Sequence, residues 1–218
     1  MSIPGRGARS WGRMPSKVRL HLAGDPEADE LLAEEPFALV VGMILDQQVP
    51  MQRAFRAPYL LAQRLGTPGR LDAAELASLP PDRLQAAFSE PPALHRFPAA
   101  MAERVRRAAE IVTSEFDGHA EALWQTAPDG ETLRRRLQRL PGFGEQKARI
   151  FVALLAKQLG VTPSGWQEAS APFGEEGSFR SIADIVDDES HAAVQAYKRS
   201  MKAGQAGRSR SRPGPSTR

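Results

Sequence analysis

The sequence predicts an all-α protein. Apolar residues recur at helical spacing through most of its 218 residues. Prolines and capping residues stand where those runs begin. Two of the periodic runs are joined by Pro141-Gly142-Phe143-Gly144, a compact turn between helices. The length suits one good-sized core, or two small lobes sharing a cleft.

In chain order, residues 1–16 are Gly, Pro, Ser and Arg with little to bury, and are expected to be a disordered basic tail. Lys17 to Leu22 alternates as a short strand or an extended lead-in. Asp25 and Pro26 mark a helix start, and the helix runs to about Glu34. Phe37 to Leu45 is apolar on every face, which predicts a buried central helix. The polar run Asp46-Gln47-Gln48 follows it directly. Either it is a functional loop, or these residues only satisfy loose backbone groups. Met51 to Leu65 is amphipathic, with Arg53, Arg56 and Arg64 on its polar side and a kink expected at Pro58. Two short helices follow, over Leu71–Leu79 and Pro81–Phe88. A long one spans Ala99–Phe116, with Arg104, Arg106 and Arg107 expected on a solvated face. A short helix near Ala120–Trp124 precedes the one that feeds the turn, and Arg134, Arg135, Arg136 and Arg139 are placed on the exposed sides of the latter. A last helix begins at Asp188 or Ser190, and the chain beyond Ala203 is expected to be tail. The domain reading is therefore 1–16 tail, 17–203 helical domain, 204–218 tail.

The turn is the most specific feature. Leu133, Leu137 and Leu140 precede it at helical spacing, and Ala148, Phe151, Leu154 and Leu155 follow it. Pro141 stops the first helix, because it lacks an N–H and restricts the residue before it. Gly142 and Gly144 permit positive φ and leave no side chain in the way of a close approach. Phe143 is placed to tuck back between the helices. The second helix then opens with free N–H groups, which suit a phosphate oxygen. The alternative is a plain αα-corner.

Composition narrows the classes. There is no cysteine, which excludes disulfides, thiolate zinc sites and cysteine-ligated iron–sulfur clusters. No apolar run approaches a membrane span and no secretory signal is visible, so the expected location is cytoplasmic, nucleoid-associated if bacterial. Residues 1–20 carry five basic residues and no acid, and residues 204–218 carry four and no acid. The net charge of +3 therefore leaves the stretch between them at −6. Basic tails add salt-sensitive attraction to nucleic acid.

An apolar helix ending Ile44-Leu45-Asp46-Gln47-Gln48, an arginine-rich helix, then Leu140-Pro141-Gly142-Phe143-Gly144: this order resembles the helix-hairpin-helix (HhH-GPD) DNA glycosylase superfamily, which includes endonuclease III and the 3-methyladenine glycosylases. The resemblance covers roughly residues 30–160, with the hairpin its specific part. It implies two helical lobes around a central cleft. It implies double-stranded DNA as partner and a flipped damaged base as substrate. With no cysteine to ligate an iron–sulfur cluster, no cofactor is expected, and the chain is expected to be a monomer. Hairpin contacts to DNA would come from Leu140, Gly142, Phe143, Gly144, Gln146 and Lys147, with a monovalent cation possible on the hairpin carbonyls. Gln48, or Gln47 in its place, would be the wedge that fills the gap left by the flipped base.

The chemistry departs from the family. Bifunctional members place a sugar-attacking lysine two residues after the second hairpin glycine. Gln146 stands there, and an amide forms no Schiff base. The adjacent Lys147 is read as a phosphate contact or a solvated lysine. The family's catalytic Asp would fall at Ser164, where Ser164-Gly165-Trp166-Gln167 reads as a capping box. The remaining candidate carboxylates are Asp46, Glu168 and Asp184. Trp166 and Phe173 are candidates for stacking on a base. The function expected is a monofunctional DNA glycosylase in base-excision repair. The alternatives are a non-catalytic lesion-sensing protein that keeps the hairpin, or an α-helical interaction protein.

Overall fold

The computed structural model describes residues 19–210, with side chains described through Ala203. The expected tail at 1–16 and the end of the other tail, 211–218, lie outside the described residues. Among those described the chain is all α. Eleven α-helices and one 3-10 turn are joined by short loops, and Asp129 and Ser164 form an isolated bridge. No helix is long and apolar enough to cross a membrane among the described residues.

The lead-in is extended, not a strand. Its alternation buries Leu20 and Leu22, and the Leu22 and Ala23 N–H groups both donate to the Asp29 carboxylate at 2.8 Å. Helix α1 (Pro26–Glu34) opens on Asp25, whose side chain accepts from the Ala28 N–H. In α2 (Pro36–Leu45) every residue from Phe37 to Leu45 is buried. Each large apolar side chain so placed contributes roughly 1.5–3 kcal/mol, so the polar loop after Leu45 hangs from a rigid post. Gly42 lets α3 (Met51–Leu65) close on α2, since a Cβ there would stand 2.7 Å from the Phe55 ring. Helix α3 continues through Pro58 without a break.

Helices α4 (Ala73–Ser78) and α5 (Pro81–Ser89) pack on the long α6 (Pro98–Phe116). The α3 arginines are not merely solvated. Arg53 donates to Ala93 O, and Arg64 donates to Ala87 O and Pro92 O, tying down the loop before α6. Helix α7 (Ala122–Gln125) is capped from the side by Arg136, which donates to Ala122 O, Leu123 O and Thr126. This arginine was expected on an open face. Helix α8 (Gly130–Gln138) is capped by Asp129, and α9 (Glu145–Leu159) crosses the core. At its centre Phe151 packs edge-on against Trp124 and against Phe143.

After α9, α10 (Trp166–Ser170) starts at the expected place but not by the expected cap. Gly165 is the N-cap, in the left-handed region, and no side chain caps the helix. Ser164 instead gives its carbonyl to the Gly130 N–H at 2.8 Å, where Gly130 lets the α10 backbone come close. Trp166 and Phe173 pack against the core, so they hold this segment down instead of lining a base pocket. The 3-10 turn Ile182–Asp184 then leads to α11 (Asp188–Arg210). This last helix runs past the Ala203 boundary expected from the sequence, because nothing from Gly204 to Arg210 includes a proline to stop it.

Candidate nucleic-acid interface

The hairpin has the anticipated shape, but its two glycines do different work. Arg139 ends α8, the Leu140 N–H reaches Leu137 O at 3.0 Å and the Phe143 N–H returns to Leu140 O at 3.1 Å. Gly142 has φ +86, a left-handed value that side chains resist. Gly144 does not need positive φ, contrary to expectation. It is extended, at φ −77 and ψ 175, and a Cβ on it would meet nothing within 4 Å. Neither conformation nor packing within the described residues requires glycine there. Leu140 and Phe143 are buried, so only their backbone faces outward, whereas Gly142, Gly144 and Gln146 are exposed.

Gly144 caps α9, whose first internal bond runs from the Ala148 N–H to Gly144 O. The Glu145, Gln146 and Lys147 N–H groups find no acceptor among the described residues. A shallow depression lined by Arg107, Gln138, Arg139 and the hairpin through Gly144 adjoins this end of α9. Arg107 is exposed and makes no ion pair among the described residues. Glu145 would repel an anion here, but its carboxylate turns back onto Arg149 at 2.5 Å and Arg134 at 3.7 Å. The set is a positive helix end, open amides and a free guanidinium, which is the chemistry of a phosphate seat.

Lys147 is the main surprise. It is neither a surface phosphate contact nor a solvated lysine. Its Nζ donates to Met43 O at 2.7 Å and reaches Ile44 O at 3.4 Å, at the C-terminal end of α2. A cation at that end answers the helix dipole and its unpaired carbonyls. Burial pushes its pKa down to about 8; the Asp46 carboxylate opposes the fall and Arg104 adds to it.

The loop after α2 is built against the hairpin. Gln47 is fixed from every side. Its Nε2 donates to Ile44 O at 2.6 Å, its Oε1 accepts from Arg104 at 2.7 Å and its carbonyl accepts from His95 at 2.9 Å. The Phe97 N–H donates to His95 Nδ1, so the ring proton is on Nε2, and burial lowers the pKa of this neutral histidine. Arg104 was expected on a solvated face and is instead this strut. Gln47 therefore anchors this loop. Gln48 is exposed and has φ 56, a left-handed backbone that costs a non-glycine residue about 1 kcal/mol or more. Phe97 is 44% exposed just beyond His95, with the Arg96 guanidinium 4.7 Å over its ring.

Three carboxylates were candidates for chemistry. Asp184 is excluded as a free acid: Lys157 holds it at 2.5 Å, Ser178 at 3.4 Å, and the Arg180 and Ser181 N–H groups at 2.8 and 3.0 Å. It locks the segment after α10 onto α9. Glu168 is exposed in a different depression, among Asp129, Arg134, Arg149 and Ser164. Of the three, Asp46 alone lies in the loop after α2. It caps α2, and its side chain makes no hydrogen bond or ion pair among the described residues. Burial raises its pKa, against the pull of Lys147 and Lys198.

No protein-family model matches this chain, and neither a curated protein nor a solved structure does. The site therefore rests on its own geometry. Among the described residues no cluster of three or more His, Asp or Glu is arranged to hold a metal ion. Sequence reasoning missed the roles of Arg104 and Lys147. One signal was available: Lys147 lies three residues after Gly144, in the first turn of α9, where its stem can lie along the interior.

Proposed function

We propose that this chain grips duplex DNA through its hairpin and hydrolyses the N-glycosidic bond of a damaged base flipped into a cleft between two helical lobes. The reading makes it a monofunctional DNA glycosylase of base-excision repair, similar to the helix-hairpin-helix superfamily. One observation carries it. The phosphate seat and the wedge loop are a single hydrogen-bonded unit, through Lys147 on Met43 O and Ile44 O and through Arg104 on Gln47. A corner that only joined two helices would have no need to hold a strained polar loop beside it.

In this reading the amides of Glu145, Gln146 and Lys147 bind one phosphate, with Arg107 alongside. Gln48 enters the duplex and offsets part of the few kcal/mol lost on flipping. Asp46 stabilises the positive charge that develops on the sugar as the base leaves, and takes a proton from the attacking water. The water oxygen bonds to C1′, the C1′–N bond breaks, and the base departs with the electron pair and is protonated. Strand cleavage by a Schiff base is not part of the scheme. Gln146 has no amine, and the Lys147 amine is occupied by α2 carbonyls.

The second reading is a lesion sensor without chemistry. It is favoured by Ser164, which stands exposed where the family's acid would be and offers only its backbone to Gly130. One screen separates the two. Duplexes carrying uracil, hypoxanthine, alkylated purines, oxidised guanine or mismatched adenine are incubated with the protein and treated with hot alkali. Alkali-dependent cleavage that is lost in Asp46→Asn supports the enzyme. Tight lesion binding with no cleavage supports the sensor, and binding to no duplex refutes both.

A further inference from the structure

Helix α11 carries charge that the hairpin does not use. From Ser190 to Arg218 the chain has seven basic residues and no acid. The start of the helix is anchored. The Ser190 hydroxyl accepts from the Val186 and Asp187 N–H groups, and Val194 is 1% exposed. From Lys198 to Ala203 every residue is exposed, so this stretch of the helix does not complete the core. Lys198 and Lys202 are four apart and share a face, with Arg199 next to them. The helix packs on the 3-10 turn, which packs on α9, the helix that the hairpin opens, and the Lys198 charge acts on Asp46.

We propose that the second half of α11 is a separate duplex-contacting arm, with Lys198, Arg199 and Lys202 on backbone phosphates flanking the site held by the hairpin. The proposal rests on the DNA-binding reading and extends it to a second element. The stretch is basic, and Met201 is its one large exposed apolar residue, so it fits a polyanion better than a membrane surface or an apolar partner groove. From Lys198 to Arg210 the helix advances about 18 Å. Laid along a strand at about 3.4 Å per step, that length spans about five nucleotides.

The test uses the full chain and fluorescence anisotropy. Wild type, Gly144→Ala and the triple variant Lys198→Gln/Arg199→Gln/Lys202→Gln are titrated with a labelled duplex over a range of salt. Circular dichroism confirms that each keeps its helices. Each phosphate contact contributes about 0.9 to the slope of log K against log salt. The triple variant is expected to bind more weakly and to lose up to about 2.7 from that slope. The difference from wild type should vanish on a duplex trimmed by about five base pairs on the arm's side. An unchanged slope, or tighter binding because the arm normally shields the acidic body, overturns the arm. If Gly144→Ala weakens binding while the triple variant does not, the hairpin reading stands and only the arm falls. If wild type binds no duplex, the DNA reading fails first.

Discussion

Gly144→Ala separates what the fold needs from what a ligand needs. At φ −77 and ψ 175 alanine is unstrained, and its methyl group would meet nothing within 4 Å. Replacing glycine at such a position restricts the unfolded chain and stabilises the native state by about 0.4–1 kcal/mol. The melting temperature should stay level or rise. In the proposed reading, however, the methyl group would stand at the mouth of the phosphate seat, beside three N–H groups that find no acceptor among the described residues. A hydrogen bond to a charged group is worth about 1.5–3 kcal/mol. Displacing one phosphate oxygen should therefore weaken duplex binding about ten- to a hundred-fold. Gly142→Ala is the contrast. Its contacts at 3.6–3.8 Å are ordinary, but φ +86 is forced on a side chain at a cost of about 1–2 kcal/mol. That variant should lose stability as well as affinity. The assay is calorimetry on each variant, paired with anisotropy on a duplex bearing a stable abasic-site analogue. Wild-type affinity in Gly144→Ala would refute the claim that this glycine answers to a ligand, and a fall in its melting temperature would refute the claim of open space.

Lys147 makes stability depend on pH. Its folded pKa of about 8 lies below the ordinary 10.5, so the unfolded chain holds the proton more tightly between those values. The burial cost is fully present below pH 8 and is relieved as pH rises to 10.5, by about 3 kcal/mol at most. Wild type should gain on Lys147→Met across that window in urea melts, and a flat difference would contradict the burial. Asp46 has the opposite sign. Burial raises its pKa, so the ionised form costs stability at neutral pH and the cost disappears as pH falls through the folded value. Asp46→Asn should melt higher than wild type near pH 7, match it in acid and excise no base; full activity in this variant would remove Asp46 from the mechanism. Gln48→Gly relieves the left-handed backbone and should stabilise by about 1 kcal/mol while lowering base excision. Retained activity would show that the wedge lies elsewhere.

The helices and the hairpin were legible because they follow from local rules. Periodicity gave the buried α2, and proline and glycine gave the turn. Arg104 and Lys147 were not legible for a common reason. Each is polar and sits where a helix face reads as solvent, and its partner is a carbonyl or amide far away in the chain. Spacing along one helix says which face a residue shares, not which other helix ends opposite it. Asp184 shows the converse. Its sequence context allowed a free acid, and the Lys157 ammonium and two backbone N–H groups claimed it. Position in the sequence favoured Gln48 over Gln47 as the wedge but did not show that Gln47 is held by three hydrogen bonds.

The ties from Lys147 to α2 and from Arg104 to Gln47 give the protein something like a caliper. In the proposed reading one jaw is the phosphate seat and the other is Gln48, and neither can slide without the other. The gap between them is then a fixed length, set by the chain and not by the DNA. A duplex whose backbone is locally stretched or compressed, as at an extra unpaired nucleotide, would seat one jaw and miss the other. Such a molecule would measure spacing before it examined a base, and would let go of most of the genome without ever opening it.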